Sequence, residues 1–139
     1  MAVEIRIMNS NDYPYALDLW KSLPGLGLSS ADEQAAINSF LNKNPDTCFV
    51  AVDGSKIIGA VLGGSDGRRG YLYHLAVDKT YQKKGVGRQL IESCLAALKS
   101  QGLKKCHIFV ISSNLEGLRF WEKSGWLVLN DIIVMSKDL

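Results

Sequence analysis

Tyr71-Leu72-Tyr73-His74-Leu75-Ala76-Val77, then Asp78-Lys79-Thr80-Tyr81, then Gln82-Lys83-Lys84-Gly85-Val86-Gly87-Arg88 is the stretch that organises the whole chain. Residues 71–77 are aromatic, aliphatic and β-branched, which predicts a strand. From residue 85 the pattern changes to helical spacing, with Val86, Leu90, Ile91, Cys94, Leu95 and Leu98 on one stripe. The helix is expected over 85–101, closed by Gly102 as a C-terminal cap. A strand therefore runs almost directly into a helix start that carries two glycines and several cations.

Such a start can hold an anion. The first backbone N–H groups of a helix lack partners, and the aligned peptide dipoles add partial positive charge there. Glycines at 85 and 87 let an anion approach that backbone closely. Lys79, Lys83, Lys84 and Arg88 raise the local potential, with Arg68 and Arg69 a little upstream. The spacing excludes two nucleotide loops. A phosphate-binding Walker loop needs four residues between its glycines and then Lys-Ser/Thr. A dinucleotide fingerprint needs a third glycine where Leu90 stands. Spacing alone also allows a plain tight turn at a helix start.

Working outward, Val3 to Met8 alternates as a half-buried strand. Residues 11–22 form an amphipathic helix through Tyr13, Leu17 and Trp20, with Ser10 as its cap and Pro14 in its first turn. Leu23-Pro24-Gly25-Leu26-Gly27-Leu28 breaks that helix, and a second is expected over 31–43. Strands 48–52 and 57–62 flank Asp53-Gly54, a hairpin signal. Strand 107–111 follows the long helix, then a helix over 115–124, then strands 126–129 and 132–136 around Asn130-Asp131. The expected order is β-α-α-β-β-β-α-β-α-β-β: an α/β (α+β) fold with about seven strands and about four helices in a single domain, 1–139.

The chain has 139 residues, 47% apolar and 22% charged, with a net charge of +2, too mild to indicate nucleic acid. No apolar run could span a bilayer. Cys48, Cys94 and Cys106 are odd in number and widely spaced, which suggests neither a disulfide framework nor a metal site. They read as small apolar residues in a reducing cytoplasm.

Gln82-Lys83-Lys84-Gly85-Val86-Gly87 resembles the Gln/Arg-x-x-Gly-x-Gly/Ala motif of the GNAT superfamily of N-acetyltransferases, and Leu75-Ala76-Val77-Asp78 before it is also typical. A second block, Asn114 followed by Phe120-Trp121-Glu122-Lys123-Ser124-Gly125-Trp126, is similar to that family's Asn…Phe-Tyr-Glu-Lys-x-Gly-Phe segment. The resemblance implies a mixed, mostly antiparallel sheet and acetyl-CoA as donor co-substrate, with no metal. It implies that the pyrophosphate sits on the backbone of residues 83–88: Lys83, Lys84, Gly85, Val86, Gly87 and Arg88, with Gln82 beside them. The pantetheine arm would lie where strand 71–77 splays from strand 107–111. Backbone near Leu75 and Val77 would hydrogen-bond the thioester carbonyl, and Asn114 would bind the arm.

The chemistry implied is direct attack of a primary amine, on a small molecule or a protein, at the thioester. The alternative is an acyl-CoA-binding or sensing module without turnover. One position departs from the family: where a tyrosine often protonates the departing sulfur, this chain has Trp121, whose indole N–H donates a hydrogen bond but yields no proton at neutral pH. Three readings follow: Trp121 packs against or hydrogen-bonds the sulfur with no general acid, another tyrosine such as Tyr73 or Tyr81 substitutes, or catalysis is lost while binding persists. The strand glutamate of some relatives is replaced by Phe109. His74 is then the best base by chemistry, because an imidazole titrates near neutrality. Asp66, Asp12 and Glu33 are weaker candidates, as is deprotonation relayed by water. The short link Leu129-Asn130-Asp131-Ile132 predicts an open acceptor mouth that a second subunit of a homodimer would complete.

Overall fold

The computed structural model describes residues 2–139, as two compact units that meet in sequence between Phe109 and Val110. In the first unit, β1 (Val3–Ile7), β2 (Phe49–Asp53), β3 (Lys56–Ser65), β4 (Gly70–Val77) and β5 (Cys106–Ile108) form one sheet in the order 1-2-3-4-5. The first three pairings are antiparallel and the last, β4 with β5, is parallel. The parallel step is made by α3 (Val86–Ser100), the crossover connection that such a pairing requires.

Helices α1 (Tyr13–Ser22) and α2 (Gln34–Lys43) cover one sheet face. Ala16, Leu19, Trp20, Ile37 and Leu41 pack there with Met8, Val50, Ala60, Leu62 and Ala76. The opposite sheet face packs on α3: a Cβ on Gly59 would meet Leu90, and one on Gly70 would meet Leu98. At Gly63 a Cβ would collide with the Thr47 carbonyl, so the strand continues through Gly63-Gly64 by dispensing with side chains rather than breaking into a turn. The turn falls later, at Asp66, whose carboxylate accepts from the N–H groups of Arg68 and Arg69.

Helix ends follow local chemistry. The cap before α1 is Asn9, one residue earlier than expected, and it opens a short 3-10 turn, Ser10–Asp12, that leads into the helix. Gly102, at φ 87°, closes α3 through hydrogen bonds from Gly102 N to Lys99 O and from Leu103 N to Leu98 O.

The second unit, Val110–Leu139, holds α4 (Leu115–Lys123), capped by Asn114, whose side chain accepts from Gly117 N at 3.0 Å. Gly125, at φ 93°, ends it as expected. The two terminal strands, 126–129 and 132–136, are not formed, so the sheet has five strands among the described residues rather than about seven. Alternating apolar residues make a strand only where a neighbouring backbone offers a ladder. No ladder partner pairs with residues 126–139, and Leu127 and Met135 are 87% and 90% exposed. The strand expected over 107–111 is likewise shorter, because its pairing with β4 stops at Leu72 and Ile108.

Candidate active site

The loop between β4 and α3 begins with a 3-10 turn at Lys79–Tyr81, capped by Asp78, which accepts from both the amide and the hydroxyl of Thr80. Gln82 then folds back, and its side-chain amide donates to the Val77 carbonyl at 2.9 Å. The Tyr81 hydroxyl donates to Asp53 at the end of β2, and the Lys84 ammonium lies 5.9 Å above the Tyr81 ring. These ties hold the loop against the end of the sheet before the helix starts. Lys83 and Gly85 are both left-handed, at φ 63° and 86°.

Gly85 is the N-cap of α3, and no side chain caps that terminus. The first bond that closes the helix runs from Gln89 N to Gly85 O, which leaves the amides of Val86, Gly87 and Arg88 without helical partners. Space is open above the cap: a Cβ on Gly85 would find nothing within 4 Å. Gln82, Lys83, Lys84 and Arg88 are exposed around it, and Val86 is buried beneath. An uncapped helix start that keeps its dipole and four flanking polar or cationic side chains fits a pyrophosphate.

Beside this cradle β4 is irregular. Its register against β3 passes from Ala60↔Ala76 to Leu62↔Tyr73, so β4 carries an extra residue. Within that bulge His74 takes φ 54°, a left-handed conformation uncommon for a residue with a side chain. On the other side, pairing with β5 has already ended at Leu72, which leaves the β4 edge from Tyr73 to Val77 without a strand partner there. The strand expected over 107–111 ends at Ile108, so within the first unit β4 has one open edge next to Leu75 and Val77.

The His74 side chain faces α1 and the short 3-10 turn Ser30–Asp32 that precedes α2. Its Nε2 lies 2.7 Å from Asp32 Oδ1, with the two side chains only 16% and 10% exposed. Its ring stands 5.1 Å from that of Trp20, whose indole N–H donates to the His74 carbonyl at 3.1 Å. Asp32 escaped the sequence reading. Ser29-x-x-Asp32 is a capping-box pattern that could have flagged it, but nothing local indicated its contact with residue 74.

The other acid–base candidates are occupied elsewhere. Asp12 makes a two-point pair with Arg6 at 2.8 and 2.9 Å and accepts from Asn9 N. Burial alone would raise its carboxyl, but the Arg6 and Asn9 hydrogen bonds outweigh this and hold it below the usual range. Asp66 is an exposed turn residue held low by its backbone hydrogen bonds, and Glu33 is exposed at the start of α2. Among the tyrosines, the Tyr81 phenol is raised by its hydrogen bond to Asp53. Burial raises Tyr73, which forms a three-ring cluster with Tyr71 and Phe109 and meets Phe40 edge-on.

Asn114 and Trp121 belong to the second unit. The Asn114 carbonyl oxygen caps α4, and a Cβ on Gly117 would stand 2.5 Å from its Nδ2. Trp121 is flanked edge-to-face by Phe120 at 5.4 Å and Trp126 at 5.1 Å. Cys48 and Cys94 are buried and Cys106 partly so, all as free thiols; no cluster that could hold a metal occurs among the described residues. No helix among the described residues is long and apolar enough to cross a membrane.

The bulged β4, open along one edge, thus leads into an uncapped, glycine-bearing helix start whose free amides can accept an anion. The sequence pattern of the acetyltransferase (GNAT) family matches residues 14–126. An acetyltransferase of Pectobacterium atrosepticum is 31% identical over 137 residues, covering 99% of this chain and 96% of that protein. The PaiA N-acetyltransferase of Thermoplasma acidophilum, solved in complex with coenzyme A, superposes with a TM-score of 0.82 at 19% identity, over 95% of this chain and 94% of that one. The aminoglycoside acetyltransferase AAC(6')-Iy, solved with a bisubstrate analogue that joins CoA to acetylneamine, gives 0.77 at 18% identity over the full length of both chains. The chain belongs to the acetyltransferase (GNAT) family and is an acetyl-CoA-dependent acetyltransferase.

Proposed function

We propose that this enzyme transfers the acetyl group of acetyl-CoA to a primary amine, on a small molecule or a peptide, by direct attack on the thioester. One observation carries the reading: the start of α3 has no side-chain cap behind a left-handed Gly85, and it adjoins the unpaired β4 edge that bears His74. In this reading the pyrophosphate sits on the amides of residues 83–88, flanked by Lys83, Lys84 and Arg88. Gln82 fixes the loop through Val77, and backbone at Leu75 and Val77 supports the thioester carbonyl. Asn114, by its place in the second motif, binds the pantetheine arm.

An attacking amine must be neutral, its nitrogen must lose a proton after attack, and the carbonyl oxygen must be stabilised as charge develops. His74 is the proton acceptor in this reading. A thiolate is a fair leaving group, so a strong acid is not required; Trp121 serves as an aromatic contact, not an acid. The amine class is supported by the acetylneamine portion of the AAC(6')-Iy analogue. A second copy that completes the acceptor mouth predicts a dimer mass in gel filtration.

The test is thiol release from acetyl-CoA across a panel of polyamines, aminoglycosides and lysine peptides, with wild type and His74→Gln. Turnover with at least one amine is expected, falling by about 10²-fold or more in the variant, as for loss of a general base. Thiol release that no amine accelerates would overturn the reading.

A further inference from the structure

We propose that Asp32 is the positioning residue for His74, fixing which imidazole nitrogen takes the proton from the acceptor amine. This rests on the reading of His74 as the base, and the experiments below separate the two.

Both carboxylate oxygens of Asp32 are committed, each to a different task. Oδ2 accepts the Ser29 N–H at 2.9 Å, closing the capping box, and Oδ1 lies 2.7 Å from His74 Nε2. The Asp32 carbonyl accepts the Tyr13 hydroxyl at 2.7 Å in the core, so the turn that carries the carboxylate is anchored to α1. A cap alone needs one oxygen; the second is spent on a ring 42 residues away. Trp20 holds the imidazole from a second side. Trp20 contacts the ring and donates to the His74 carbonyl, which holds the residue in its left-handed bulge conformation. The ionisable groups around the pair are Asp32, the Tyr13 phenol beneath it, Glu33 next in the chain and Tyr73 on β4.

A carboxylate accepts hydrogen bonds only, so Nε2 carries the proton in the neutral ring and Nδ1 keeps its lone pair. The step then balances as follows. The amine nitrogen attacks the thioester carbonyl carbon and forms the C–N bond. A proton passes from that nitrogen to His74 Nδ1, and the C–S bond breaks with its electron pair leaving on the CoA thiolate. The imidazolium then returns its proton to solvent or to the thiolate. Asp32 touches no reactant.

Asp32→Asn keeps an oxygen for the cap and removes the charge. With the best amine of the panel, kcat is expected to fall about 10- to 10²-fold while KM for acetyl-CoA and for the amine stays within twofold. Nitrogen NMR of the imidazole should show Nε2–H in neutral wild-type His74, and loss of that preference in the variant. Wild-type kcat in Asp32→Asn overturns the proposal, and so does a rise in amine KM alone, which would make Asp32 an acceptor contact. A neutral wild-type ring protonated at Nδ1 also overturns it, a result that needs no variant to fold. If His74→Gln keeps full kcat while the Nε2–H tautomer is present, the base reading fails instead.

Discussion

Replacing Gly85 by alanine tests the anion cradle at its most constrained residue. Gly85 sits at φ 86° and ψ 3°, left-handed, as the cap of α3. A left-handed residue with a side chain costs about 1–2 kcal/mol. No clash adds to this, because nothing lies within 4 Å of the new Cβ. A loss of about 1 kcal/mol lowers Tm by about 3–5 °C in a chain of this size, which thermal denaturation of the ligand-free protein would read. The same methyl group points into the open space above the cradle, where the pyrophosphate must approach. Calorimetric titration with CoA should therefore show Kd rising about tenfold, equivalent to about 1.4 kcal/mol. Gly85→Asn separates the two effects: asparagine tolerates the left-handed region, so stability should recover while CoA binding remains weak. An alanine variant that loses the expected stability yet binds CoA with wild-type affinity would refute the reasoning.

Further outcomes follow from individual contacts. Arg6→Ala leaves the buried Asp12 carboxylate with Asn9 N as its remaining partner and should cost about 1–3 kcal/mol by urea denaturation. Asp12 is held low when folded, so its contribution is present above the ordinary carboxylate range and fades as pH falls through the folded value. The gap between wild type and variant should accordingly shrink below about pH 4, where the unfolded carboxyl also protonates. Tyr81→Phe removes the bond to Asp53 but no proton donor to the sulfur, so kcat should stay within about twofold of wild type; a hundredfold loss would make Tyr81 the acid. The thiol of Cys48, pushed up to about 11 mainly by burial, should resist alkylation in the native protein at pH 8 and react on unfolding, as followed by mass spectrometry.

Much of the first unit was legible because local chemistry and periodicity agree there. The stripe along α3, its Gly102 cap and the Asp53-Gly54 turn each encode their structure within a few residues. The shape of the loop at 82–88 was legible for the same reason, since left-handed glycine and helix start are adjacent in sequence. What was not legible depends on distant partners. The bulge that turns His74 left-handed is a register event between β3 and β4, and Asp32 meets His74 only because α1 and its following turn fold over the sheet. The final apolar stretches, 126–129 and 132–136, show the opposite error: their alternation satisfied a strand pattern, but no ladder forms on them. The candidate base was identified from imidazole chemistry alone; its partner required the fold.

The most direct measurement of the central claim uses acetyl-CoA labelled with carbon-13 in its acetyl group, an amine that accelerates thiol release, and mass spectrometry of the products. The account predicts that the labelled acetyl moves intact onto the amine as an amide, in equal amount to the CoA thiol released. Label recovered only as free acetate, with the amine unchanged, would contradict it.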